Sequence, residues 1–113
     1  MEANQAISAL AALAQEHRLA LFRLLVQTGP EGLPAGRIAA ALGVPNSSLS
    51  HHLALLHEAG LVAQRRNGRS LIYSADYAAM ERLLGFLTEN CCAGNACNVA
   101  VQPGPNTTEE TIG

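Results

Sequence analysis

The sequence predicts a mainly α domain carrying one β-hairpin, an α+β fold, and three observations predict it. Apolar residues recur at helical spacing near both ends of the chain. Two short helical runs are joined in the middle by Gly43-Val44-Pro45, the arrangement of two helices around a tight turn. Asn67-Gly68 separates two strand-like runs, and Asn-Gly marks a hairpin because both residues tolerate positive φ.

Each element has a local reason. Residues 3–14 are Ala-rich, with Ile7, Leu10, Ala11 and Ala14 on one stripe, which predicts an amphipathic helix. After a break near Gln15, residues 15–28 continue helically, with Leu19, Phe22 and Val26 on one face and Leu21 and Leu25 beside them. Thr28-Gly29-Pro30 stops this helix, since proline lacks the donor and biases its predecessor out of helix. Residues 31–34 read as a connector. Residues 35–42 form a short helix with Ile38, Ala39 and Leu42 inward, closed by Gly43 at a left-handed cap. Asn46 suits the N-cap of the next helix, which runs to about Ala59 and stops at Gly60. Strands over 61–66 and 69–74 form the hairpin, and residues 77–91 return to helix with Met80, Leu83, Leu84 and Leu87 apolar. The order is that of a winged helix-turn-helix.

The chain has 113 residues, of which 49% are hydrophobic and 14% charged, enough for one domain to bury a core without cross-links. No run approaches the ~18 apolar residues of a membrane helix. The first basic residue is Arg18, too late for a signal peptide, so a cytoplasmic protein is expected. Net charge is −2, but its distribution matters more than its average. Residues 1–74 hold six Arg against four Glu, whereas residues 75–113 hold one Arg against five acids.

The helix from Asn46 to Ala59 shows how that charge is used. With Leu49, Leu53 and Leu56 inward at about 100° per residue, Ser47 and His51 lie nearly opposite and Ser48 to one side. Small hydroxyls and an imidazole can donate to phosphates and base edges, and residues 46–57 contain no acid to repel them. Serine and histidine alone would equally suit any polar helix face. Arg65, Arg66 and Arg69 around the hairpin tip favour phosphate or minor-groove contact instead. The candidate DNA-binding set is Asn46, Ser47, Ser48, Ser50, His51, Arg65, Arg66 and Arg69. His52 is expected at the core edge as a structural histidine, and His17 and His57 as ordinary surface residues.

All cysteines fall in one window: Cys91, Cys92 and Cys97. An odd, clustered set is a poor disulfide framework and a good soft-ligand site. Adjacent residues on a regular helix face different ways, so a vicinal pair chelates best past a helix end. Gly94-Asn95 supplies a reversal that could return Cys97 to it.

Leu33-Pro34-Ala35-Gly36-Arg37-Ile38-Ala39-Ala40-Ala41-Leu42-Gly43-Val44, then Ser48-Leu49-Ser50-His51-His52-Leu53 through Ala59-Gly60-Leu61-Val62 and the Arg66-Asn67-Gly68-Arg69 wing, resembles the ArsR/SmtB family of metal-responsive repressors. The resemblance covers roughly residues 5–90. It implies a homodimer built from the first and last helices that blocks double-stranded operator DNA until an ion binds. Two of the family's sites lack their ligands here: no Cys pair opens the first helix of the helix-turn-helix, and residues 77–91 hold no His. The Cys91-Cys92…Cys97 end is similar to the arsenical-responsive subset.

Three thiolates without a nearby fourth ligand suit a pyramidal As(III) or Sb(III) centre, whereas zinc normally takes four ligands. A zinc, cadmium or lead site completed by histidine or solvent, and a redox disulfide of Cys97 with Cys91 or Cys92, stay open as alternatives. A thiol-based arsenate reductase would need an anion site beside the nucleophile, and no Arg follows Arg82. The expected organisation is residues 1–92 for DNA binding and dimerisation, 91–97 for the thiolate segment and 98–113 as a disordered tail.

Overall fold

The computed structural model describes residues 1–91. Its elements run α1 (Ala3–Leu13), α2 (Glu16–Thr28), β1 (Leu33–Pro34), α3 (Ala35–Leu42), α4 (Asn46–Glu58), β2 (Val62–Asn67), β3 (Ser70–Ala75) and α5 (Tyr77–Leu87). The expected α+β winged helix-turn-helix is the observed architecture.

Helix starts are fixed by side chains. The Gln5 amide oxygen accepts from the Glu2 N–H at 2.8 Å at the head of α1, and the Gln15 oxygen accepts from the Arg18 N–H at 2.9 Å at the head of α2. Asp76 caps α5 by accepting from the Ala79 N–H at 3.0 Å. α3 closes where Gly43 turns left-handed at φ 69° and donates to the Ala39 carbonyl. The expected cap of α4 is corrected by one position: Pro45 is the cap, and Asn46 is the first helical residue.

The sheet is antiparallel in the order β1-β3-β2. The stretch expected as a plain connector contributes β1, with Leu33 opposite Tyr73 and Pro34 opposite Ile72. In the hairpin Val62 pairs with Ala75 and Asn67 with Ser70, so the turn is Gly68-Arg69, one residue later than expected. Gly68 alone carries positive φ there, at 66°, which matches a Gly-first two-residue loop. Beyond Val62 every residue of β2 is exposed, so the hairpin projects as a wing.

Leu21, Leu25, Ile38, Leu49, Leu56 and Leu61 are completely buried and centre the core between α2, α3, α4 and the base of the hairpin. Two expected stripes are corrected. α1 buries Ala6, Ala9 and Ala12 against α2 and α4, while Ile7 is 66% exposed and Leu10 42%. On α2 Leu19 is 46% exposed, and Leu21, Phe22 and Leu25 face inward. α5 buries Ala79 and Leu83, leaves Leu84 and Leu87 exposed, and ends at Leu87 rather than Cys91.

Candidate nucleic-acid interface

α4 is amphipathic in the sense needed to present a reading face. Leu49, Leu53 and Leu56 anchor it to the core, and Asn46, Ser47, Ser48, Ser50 and His51 are all exposed along its outer side. Because Pro45 takes the cap position, the Asn46 side chain stands at the exposed first turn of the helix.

The three wing arginines differ in their surroundings. Arg66 sits opposite Leu71 near the tip, and Arg69 lies in the turn; both are exposed. Arg65 sits opposite Ile72, and its Nη2 donates to the Glu31 carbonyl at 2.7 Å. It crosses β3 to reach the segment ahead of β1, and so ties the wing to the body. Sequence reading grouped Arg65 with the other two; a bond spanning 34 residues leaves no local signal.

Histidine placement also departs from expectation. His52 does lie at the core edge, half-buried, but His17 stacks on it with ring centroids 5.6 Å apart, and the His51 ring tilts against it at 5.8 Å. The His52 Nδ1 is buried and has no hydrogen-bond partner among the described residues. Burial, then the positive neighbours Arg18, His17 and His51, hold the His52 pKa below its ordinary value of 6.5. Arg18 itself is fixed by a 2.6 Å bond from Nε to the Ala12 carbonyl at the end of α1.

Past α5 the chain leaves the helical path. Thr88 Oγ1 donates back to the Leu84 carbonyl at 2.8 Å, Asn90 turns left-handed at φ 58°, and the Cys91 N–H donates to the Thr88 carbonyl at 2.9 Å. Cys91 is half-buried in this terminal turn. Cys92, Cys97 and the expected tail lie outside the described residues. Among the described residues no three of His, Cys, Asp and Glu gather at one point to hold a metal ion, so Cys91 is the one predicted thiol ligand placed here. No helix of the described residues is long and apolar enough to cross a membrane.

A helix-turn-helix domain model matches residues 13–65, the span from α2 through the outgoing strand of the wing. The chain is 43% identical over 72 residues to the HTH-type transcriptional regulator NmtR of Mycobacterium tuberculosis, a match covering 64% of this chain and 58% of that protein. It is 33% identical over 88 residues to the nodulation protein NolR of Rhizobium meliloti, covering 78% of this chain and 70% of that one. Among solved structures, the homodimeric winged helix-turn-helix DNA-binding domain of Mb0332 from Mycobacterium bovis, a possible ArsR-family regulator, superposes with a TM-score of 0.61 at 28% identity. That superposition covers 83% of this chain and 87% of that one. Relatives on this fold are DNA-binding regulators rather than enzymes, and the chain belongs to the ArsR/SmtB family of winged-helix transcriptional regulators.

Proposed function

We propose that this chain is a homodimeric operator-binding repressor released by a soft trivalent metalloid, As(III) or Sb(III), held by Cys91, Cys92 and Cys97. The observation that carries the reading is the end of α5. The helix stops at Leu87, four residues ahead of the first thiol, and the chain is already turning through left-handed Asn90. A vicinal pair that begins past a helix end is not held to the divergent directions of neighbouring helical residues. Thiolates favour soft ions, and three of them suit a trivalent pyramidal centre.

The DNA surface in this reading is the exposed face of α4, Asn46, Ser47, Ser48, Ser50 and His51, with Arg66 and Arg69 on backbone phosphate and Arg65 setting the pitch of the wing. Residues 1–92 carry DNA binding and dimerisation, residues 91–97 the ion, and residues 98–113 form a tail. Ile7 and Leu10 on α1 and Leu84 and Leu87 on α5 are exposed apolar side chains on two helices packed against each other. A second copy covering them would place two α4 helices on one duplex, and the Mb0332 domain is itself homodimeric. The ion orders the end of the last helix, beside that interface. A differential affinity of a few kcal/mol for the misfit spacing then relieves repression.

Fluorescence anisotropy of a labelled duplex from upstream of the chain's own gene tests this, with arsenite added under reducing conditions. Release at about one equivalent of arsenite, lost in Cys91→Ser, Cys92→Ser and Cys97→Ser, is the expected result. Release by oxidant alone would make the thiols a disulfide switch, and release by cadmium, lead or zinc alone would replace the metalloid. If the three serine variants still respond to arsenite, the thiol assignment is wrong.

A further inference from the structure

The proposed DNA surface accounts for α4, His51 included, and for the wing, and leaves His17 and His52 at the junction of α2 and α4 without a role. His17, in the first turn of α2, and His51, on the outer side of α4, are both exposed, and their ring centroids lie 5.6 and 5.8 Å from that of His52. We propose that His17 and His51, each packed against the His52 ring, are a proton-taking contact for the DNA backbone that extends the interface onto α2 and makes DNA affinity rise as pH falls.

His52 is suited to the spacer and not to the charge. Its Nδ1 is buried without a partner, so a proton there would bury a cationic N–H with nothing to accept it. The outer rings carry no such penalty. Gln15 Nε2 lies 3.4 Å from His17 Nδ1, a long contact that a proton on this atom would end, while the Gln15 oxygen stays on the Arg18 N–H.

Arg18, His17 and His51 all bear on His52 with the same sign. Glu16 precedes His17 on α2, rotated from it by about 100°, and Glu58 lies about 9 Å along α4 from His52 by helical rise. The groove beside Arg18 is lined by the uncharged Ala11, Ala12 and Leu55, and also by the carboxylate of Glu58. Protons on the two exposed imidazoles add to the positive charge of the fixed Arg18 guanidinium. A row of phosphates reverses the local potential and favours them. Binding then takes up protons, and by linkage the affinity becomes pH-dependent near the ordinary histidine range.

This inference rests on the DNA reading above and is tested so that the two can fail separately. The probe is the same labelled duplex, without arsenite, at fixed ionic strength and pH values from about 6 to about 8. The wild type is expected to bind about three- to tenfold more tightly at the acid end. His17→Gln and His51→Gln each reduce that ratio, the double variant is flat within about twofold, and Arg66→Ala weakens binding at every pH with the ratio intact. Imidazole proton NMR of the wild type gives a check that needs no variant: at fixed pH, added DNA moves the ring signals of His17 and His51 toward the protonated form and leaves that of His52 in place. A wild type that binds with a flat profile overturns this inference alone, as does a His17→Gln variant with an unchanged profile. A folded wild type that binds no duplex at any pH overturns the DNA reading and this inference together.

Discussion

The Tyr77 hydroxyl donates to the main-chain carbonyls of Val26 at 3.0 Å and Leu25 at 3.3 Å, pinning the first residue of α5 to the last turn of α2. The Leu25 carbonyl also accepts from the Gly29 N–H at 3.3 Å, but the residue four positions after Val26 is Pro30, which has no N–H, so at Val26 the phenol supplies what the backbone cannot. Tyr77→Phe keeps the ring and removes the bond. It should cost about 1 kcal/mol in urea unfolding with an unchanged slope; no loss of stability would mean that water serves the carbonyls equally well.

Gly32 and Gly43 both hold left-handed φ, at 70° and 69°, yet they should respond differently to alanine. A Cβ at Gly43 meets open space, so Gly43→Ala costs only the backbone strain of about 1 kcal/mol. At Gly32 the same atom collides with the Tyr73 carbonyl oxygen in β3 and presses on Ile72. Gly32→Ala should therefore lose clearly more, about 2–4 kcal/mol, by parting β1 from β3. Thermal melts of the two variants side by side decide it, and equal losses would refute the close approach.

The wing arginines should separate by salt dependence. Arg66→Ala and Arg69→Ala are expected to weaken binding to all DNA sequences alike and to flatten the slope of affinity against salt by about one counterion each. Arg65 gives a bond to the Glu31 carbonyl, so Arg65→Ala should also lower stability by about 0.5–1.5 kcal/mol. An Arg65→Ala protein as stable as its Arg66→Ala counterpart would show that the tie carries nothing.

Stability should fall with acid through His52. Its folded pKa lies below 6.5, so as the pH drops past that value the unfolded chain takes the proton first. The neutral form is the one the fold accommodates; stability is complete above this range and declines below it. Urea midpoints measured on either side check the sign, and His52→Gln should remove the part of the decline that this residue causes.

The exposed apolar residues of α1 and α5 make a prediction about assembly. Ile7→Glu combined with Leu84→Glu should shift sedimentation from dimer to monomer while circular dichroism stays native, because neither side chain is part of this chain's own core. An unchanged sedimentation coefficient would place the dimer contact elsewhere.

These cases also show what the sequence could reveal. Helix order, the wing and the polar face of α4 were legible because each rests on local pattern: Leu49, Leu53 and Leu56 at helical spacing, and Gly68 in the hairpin turn. α1 misled because its largest apolar residues, Ile7 and Leu10, face away from the core, and periodicity cannot tell a stripe that meets this chain from one left outside. β1 is two residues long and offers no alternation to detect. The candidate surface is legible where it is a helix face and opaque where it depends on distant pairs: Arg65 with Glu31, and His17 with His52.

The junction of β3 and α5 has a mechanical meaning. Ala75 ends the strand, Asp76 donates its N–H to the Leu61 carbonyl at 2.8 Å while its side chain caps α5, and Tyr77 begins the helix. No slack separates hairpin from helix, so the two behave as arms of one lever with its fulcrum at Asp76. The six residues of β3 give the outer arm a length of about 20 Å. A rotation of α5 by about 10° would then sweep the Arg69 turn through about 3–4 Å, on the scale of the spacing between neighbouring residues along a strand.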